Sequence, residues 1–142
     1  MRPPQEHKLP VLLSLEEVHT ILHCVRLPRY RACLSTIYAC GLRLQEGTPL
    51  QVPDIASARM IVHVRDGKGA KDRSVPLPQQ TLALLRQYWT THRHPVGLFP
   101  APGRSGRGMV TASTSMPRNR VQDAFRAALK ASGLHKRASG HT

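Results

Sequence analysis

The sequence predicts an α+β fold, mainly helical, with a small antiparallel hairpin or three-stranded sheet. Three observations predict it. Apolar residues recur at helical spacing over about 14–26, 29–40, 78–92 and 117–131. One β-branched run, Met60-Ile61-Val62-His63-Val64, is followed by a glycine-broken turn and a return over Arg73 to Pro76. At 142 residues there is room for one compact domain, and with 40% hydrophobic but only 4% aromatic residues its core must be aliphatic.

In chain order, residues 1–13 carry Pro3, Pro4 and Pro10 and read as an extended, mobile linker arm. Ser14-Leu15-Glu16-Glu17 has the form of a capping box, with Leu13 and Val18 at the hydrophobic-staple positions. The helix it opens, to about Arg26, should turn Leu15, Val18, Ile21, Leu22 and Val25 to one face. Leu27-Pro28 breaks it. A second helix, Arg29 to Cys40, buries Cys33, Leu34, Ile37 and Tyr38, and Gly41 ends it where a positive φ costs little. Pro53-Asp54-Ile55 opens the strand region. Pro78 to His92 forms a helix with Leu82, Leu85 and Trp89 as its buried stripe, and Tyr88 and Trp89 are favoured as core over base-stacking platforms. Residues 93–115 are loop-like, and within them Gly103 to Gly108 reads either as a solvated turn or as a groove-tracking basic arm. The last helix, about Pro117 to Ala131, points Val121, Ala124, Phe125, Ala128 and Leu129 inward, and Gly133 stops it.

The 21 Lys+Arg against 8 Asp+Glu leave a net charge of +13 and a pI near 11.1. Such an excess opposes compaction by self-repulsion and points to a polyanionic partner, nucleic acid first. No stretch approaches the ~20 apolar residues of a membrane span, no basic amphipathic helix offers a bulky apolar face, and no signal region follows Met1. The expected location is the cytoplasm, without a membrane partner. Cys24, Cys33 and Cys40 lack CxxC spacing and read as buried thiols rather than a disulfide framework or zinc knuckle. His19 and His23 stand four apart, a spacing that suits a metal, but no further ligand is aimed at them and the solvated reading is favoured. No metal or cofactor is expected.

The chemistry concentrates between Tyr38 and Pro76. Gly41-Leu42-Arg43 places an arginine behind a sharp corner, and Gly67-Lys68-Gly69-Ala70-Lys71-Asp72-Arg73 places three cations on or beside a hairpin tip. An arginine fork binds two phosphate oxygens at once, and lysine is a compact charge that can also give up a proton. A P-loop is excluded, because G-x-x-x-x-G-K-[ST] is absent and a strand, not a helix, follows Lys68. On chemistry alone, Arg43 reads as an ordinary surface arginine, whereas Lys71 and Arg73, flanking Lys68, read as phosphate-backbone contacts, with a solvated hairpin tip as the alternative.

The order GLRLQEG, D-I, strand, GKGAKDR, VPLP, L-F-P at Leu98 to Pro100, and a late G-H-T resembles the tyrosine recombinase, or phage integrase, family in its Xer-like or transposon-associated form. The resemblance covers nearly the whole chain. It implies that residues 14–142 are the N-terminal part of an integrase-type catalytic domain, which the 1–13 arm would join to a DNA-clamping domain. It further implies that Arg43 grips the scissile phosphate and that Glu46 serves the fold. Lys68 would protonate the leaving 5′-oxygen, and His141 would begin the H-x-x-R box. Lys71, Arg73, Arg118 and Arg120 become candidate DNA-backbone contacts.

In the resembling enzymes a tyrosine attacks a phosphate of double-stranded DNA to give a 3′-phosphotyrosyl link, without metal. Preorganised guanidiniums neutralise the transition state, and removing one such donor costs roughly 10²–10³ in rate. The second arginine and the nucleophilic tyrosine would fall after Thr142. Tyr30, Tyr38 and Tyr88 all lie in predicted helices, and none matches the nucleophile position. These 142 residues are therefore expected to bind DNA without cleaving or joining it, so that enzyme status is left open; the alternative is a non-catalytic basic DNA-binding module derived from a recombinase. Family members act as tetramers on two duplexes, whereas this chain is expected to be monomeric or to associate non-specifically through an uncovered apolar patch.

Overall fold

A computed structural model describes residues 14–65, 72–103 and 109–133. The proposed arm 1–13, the hairpin tip with Lys68 and Lys71, most of the glycine- and arginine-rich loop, and the tail with His141 lie outside the described residues. The described chain runs α1 (Leu15–His23), α2 (Pro28–Cys40), α3 (Leu44–Gly47), β1 (Ile55–Ala56), β2 (Ile61–Val64), β3 (Arg73–Pro76), α4 (Gln79–His92) and α5 (Arg118–Ser132). Short 3-10 turns occupy Val52–Asp54 and Met109–Thr111. The predicted α+β class and the three-stranded antiparallel sheet, in the order β1-β2-β3, are both present.

Ser14 accepts from the Glu17 amide at 3.1 Å while its own amide donates to the Glu17 carboxylate at 2.8 Å, so the capping box is closed. The helix ends at His23, three residues earlier than its apolar spacing suggested. Arg31 explains the stop: its Nη2 donates to the carbonyls of Val25 at 2.8 Å and His23 at 3.2 Å, satisfying groups a longer helix would have used. Leu15, expected in the core, is 73% exposed. It borders an open groove of about 590 Å³ between α1, α2 and the start of α4, which Val18, Leu22, Tyr38 and Leu84 also line.

Helix α2 is the central element, packing on α1, α4 and α5. Cys33, Leu34 and Ile37 are buried on it, and Gly41 takes the left-handed conformation at φ 67°. Tyr38 stacks on Phe125 of α5 at 5.9 Å between ring centroids. On α4 the buried aromatic is Tyr88, not Trp89. Trp89 is drawn to the margin, where its indole N–H donates to the His94 carbonyl at 2.8 Å.

In the sheet, Val62 and Val64 of β2 are buried while His63 between them is exposed, the alternation of a half-buried strand. The strand starts one residue later than expected because Met60, at φ 55°, closes the turn from β1. Val62 pairs with Ile55 on one side and Val75 on the other, and Val64 pairs with Arg73. Phe99 and Pro100, from the L-F-P stretch, are fully buried, and the Phe99 carbonyl accepts from Met116 at 2.9 Å.

Candidate phosphate-binding face

The left-handed turn at Gly41 reverses the chain out of α2, and Arg43 then occupies the N-cap position of α3 with extended backbone. Its amide donates to Glu46 Oε1 at 2.8 Å. Among the described residues its guanidinium, which is half-buried, makes no hydrogen bond or ion pair. Gly47 sets how closely α3 lies on α2. A Cβ there would fall 2.5 Å from Ile37 Cγ1, so only glycine lets the corner seat.

Glu46 ties this corner to the hairpin. Arg73, the first residue of β3, grips it with both arms of its fork, Nη1 to Oε2 at 2.6 Å and Nη2 to Oε1 at 3.2 Å. Burial of the Glu46 carboxyl pushes its pKa up. The hydrogen bonds from Arg73 and the Arg43 amide, with the charges of both arginines, outweigh this and hold it below the ordinary 4.5. Glu46 therefore serves the fold, as the resemblance implied, and it does so through a partner read from sequence as a DNA contact.

A second staple of the same design stands beside it. Asp54, buried, accepts from the Gln51 amide and from Arg65 Nη2, both at 2.9 Å, and the same Nη2 reaches the Pro49 carbonyl at 3.2 Å. Arg65 follows β2 and Arg73 opens β3, so the two arginines bracket the hairpin tip and each fixes one side of its base to the segment running from α3 into β1. Sequence reading singled out neither Asp54 nor Arg65 for this. Their available signal was a lone carboxylate and a lone arginine at strand ends, which is too common to decide anything.

Arg43, Glu46 and Arg73 are thus brought together by connected bonds. Arg118 and Arg120 are exposed on the first turn of α5. That helix packs on α1 and α2, so their position relative to Arg43 is set through α2. Lys68, Lys71 and His141 lie outside the described residues. His19 and His23 are exposed, and the His23 ring bonds the His19 carbonyl at 2.9 Å. No group of three His, Cys, Asp or Glu side chains stands close enough to hold a metal among the described residues, and the three cysteines are free.

A mainly helical fold with a small three-stranded antiparallel sheet is shared with a recombinase: the crystal structure of XerA recombinase superposes with a TM-score of 0.70 at 25% identity, over 96% of this chain and 46% of that one. The chain belongs to the phage integrase family, whose sequence profile matches residues 12–142. A candidate integrase/recombinase of Sinorhizobium fredii is 46% identical over 98 residues, 69% of this chain and 39% of that protein. Tyrosine recombinase XerA of Thermococcus onnurineus is 39% identical over 94 residues, 64% of this chain and 33% of its own length. The chain thus spans well under half the length of the relatives it matches.

Proposed function

We propose that these residues form the phosphate-gripping part of a tyrosine recombinase catalytic domain, acting on double-stranded DNA in site-specific breakage and rejoining. The observation that carries this reading is the Arg43 corner. A guanidinium is held on a fixed turn with no hydrogen bond or close ion pair among the described residues, while the carboxylate beside it is gripped by a different arginine. Family membership and the net charge of +13 support the same reading.

Within it, Arg43 takes two oxygens of the scissile phosphate, and Lys68 delivers a proton to the leaving 5′-oxygen, a general-acid step typically worth ~10²–10⁴ in rate. His141 joins them, and Lys71, Arg118 and Arg120 follow the backbone. Arg73 contributes chiefly by position, because Glu46 offsets its charge.

As a 142-residue polypeptide the chain is proposed to bind DNA without forming a covalent link. Tyr88 is buried, Tyr30 and Tyr38 are half-buried, and burial pushes the phenols of Tyr38 and Tyr88 up, away from nucleophilic use. No described helix is long and apolar enough to cross a membrane.

The test is a salt series of duplex binding by fluorescence anisotropy, alongside a nicked suicide substrate. Log affinity should fall linearly with log salt, with a slope of about −0.9 per phosphate contact, and Arg43→Ala should lower both affinity and slope. Salt-independent binding would overturn the phosphate reading, and a covalent protein–DNA adduct would overturn the proposed inactivity of the 142-residue chain.

A further inference from the structure

The corner after α4 carries two imidazoles that the reading above leaves unused. His94 Nδ1 accepts from the amides of Gly97 at 2.8 Å and Val96 at 3.1 Å, while Nε2 lies 2.7 Å from the Ala112 carbonyl. These partners fix the tautomer: Nδ1 must hold a lone pair and Nε2 the proton. His92 Nδ1 likewise accepts from the His94 amide at 2.9 Å. Its Nε2 is buried without a hydrogen-bond partner. A proton added to His92 Nδ1 would point at the His94 N–H, turning attraction into repulsion.

The surroundings offer such a proton little compensation, with only the Leu98 backbone favouring it. Tyr88 meets the His92 ring at 4.9 Å and Trp89 at 6.5 Å, both edge-on, and Arg93 lies over Trp89 at 5.7 Å. Arg29, Tyr30 and Cys33 of α2 face Tyr88 beside His92. The 96–98 and 109–112 segments present backbone groups. Among the described residues no carboxylate pairs with either ring. Burial lowers the His92 pKa below its ordinary 6.5; the Leu98 backbone opposes this and the His94 charge adds to it.

What the corner holds matters for the basic face. The Val96 carbonyl accepts from Val52 at 2.7 Å, Leu98 donates to the Leu50 carbonyl at 3.0 Å, and Gln51 bridges Gly97. Residues 50–52 connect α3, with Arg43 at its N-cap, to the Asp54 staple.

We propose that His92 is an acid-released latch: as a neutral ring it holds the His94 backbone, whose imidazole caps the 96–97 amides and so seats the 94–98 corner against residues 50–52, and its protonation frees that corner and loosens the segment leading back to Arg43. The latch rests on packing and hydrogen bonds, and does not depend on what the basic face binds.

The sign follows from linkage. The unfolded chain takes up a proton at His92 below about pH 6.5 while the folded chain resists it, so stability is full above that value and is lost as pH falls. The unfolding constant should rise by up to about tenfold for each pH unit below it.

Urea unfolding of the full chain from about pH 7.5 to about pH 5 tests this. The wild type should lose stability across the range. His92→Asn keeps an acceptor near the Nδ1 position but cannot titrate, so it should start less stable and show a shallower pH slope. Nitrogen NMR of the wild-type imidazoles gives a readout free of any variant's folding: His92 should carry its proton on Nε2 alone at neutral pH. A flat wild-type profile, an unaltered slope in His92→Asn, or a proton on His92 Nδ1 at neutral pH would each overturn the latch.

Discussion

The hairpin base and the 92–98 corner both fasten loops to the segment between α3 and β1, yet they do it with opposite chemistry. At the hairpin base, Glu46 and Asp54 are largely buried at 14% and 8% side-chain exposure, and each accepts from a backbone amide and an arginine. The arginines remain 47% and 43% exposed, so the pairs keep contact with water. At the corner the acceptors are imidazole nitrogens, and His92 meets Tyr88, which in turn stacks on a fully buried Phe99. Charged staples tolerate solvent and suit a face that meets a polyanion. Neutral latches avoid placing a charge in the core, where desolvation outweighs a modest hydrogen bond.

The comparison can be broken from the corner side first. Phe99→Ala should cost about 3–5 kcal/mol, because a fully buried ring that stacks on Tyr88 leaves a cavity at the point where both chain directions meet; urea unfolding reads it. Gly47→Ala should cost about 1–3 kcal/mol, since the added methyl meets the buried Ile37, and it should weaken DNA binding by tilting the Arg43 corner.

Glu46→Gln sharpens the contrast through its sign. The change raises net charge by one, which by simple attraction should tighten DNA binding, whereas loss of the charged staple should weaken it several-fold; the salt series distinguishes the two. Acid also separates the regions. The Glu46 pKa is lowered from 4.5, so its contribution is present above that value and is lost as pH falls below it. The imidazole corner begins to fail already below about 6.5. Hydrogen exchange on lowering pH should therefore release the amides of Val52 and Leu98 before that of Arg43. The smallest effect belongs to Arg118→Ala or Arg120→Ala. Both residues are exposed, so stability should move by no more than about 0.5 kcal/mol while the salt slope of DNA binding falls by about one.

Much of the fold was legible because its signals are local. The Ser14 capping box, the left-handed Gly41 and Gly133 caps, the return strand at Arg73–Pro76 and the α5 stripe all appear where spacing and turn chemistry place them. The misses have a common cause. Leu15 was assigned to the core from periodicity, which cannot say whether a neighbouring element covers the first turn. Tyr88 rather than Trp89 is buried because the indole finds a carbonyl at the margin of α4. Met60 left the strand because the β1–β2 turn needed a left-handed residue.

Sequence by itself determined the helical class, the basic character, the corner that presents Arg43 and the motif order that placed the chain among recombinases, since each depends on residues close together or on their order. Tertiary structure decided the rest: that Arg73 closes on Glu46 and Arg65 on Asp54, and that the 96–98 backbone, capped by the His94 ring, pairs with residues 50–52 from more than 40 positions away. Such pairings join residues far apart in the chain, and one carboxylate or imidazole looks like any other until packing chooses its partner.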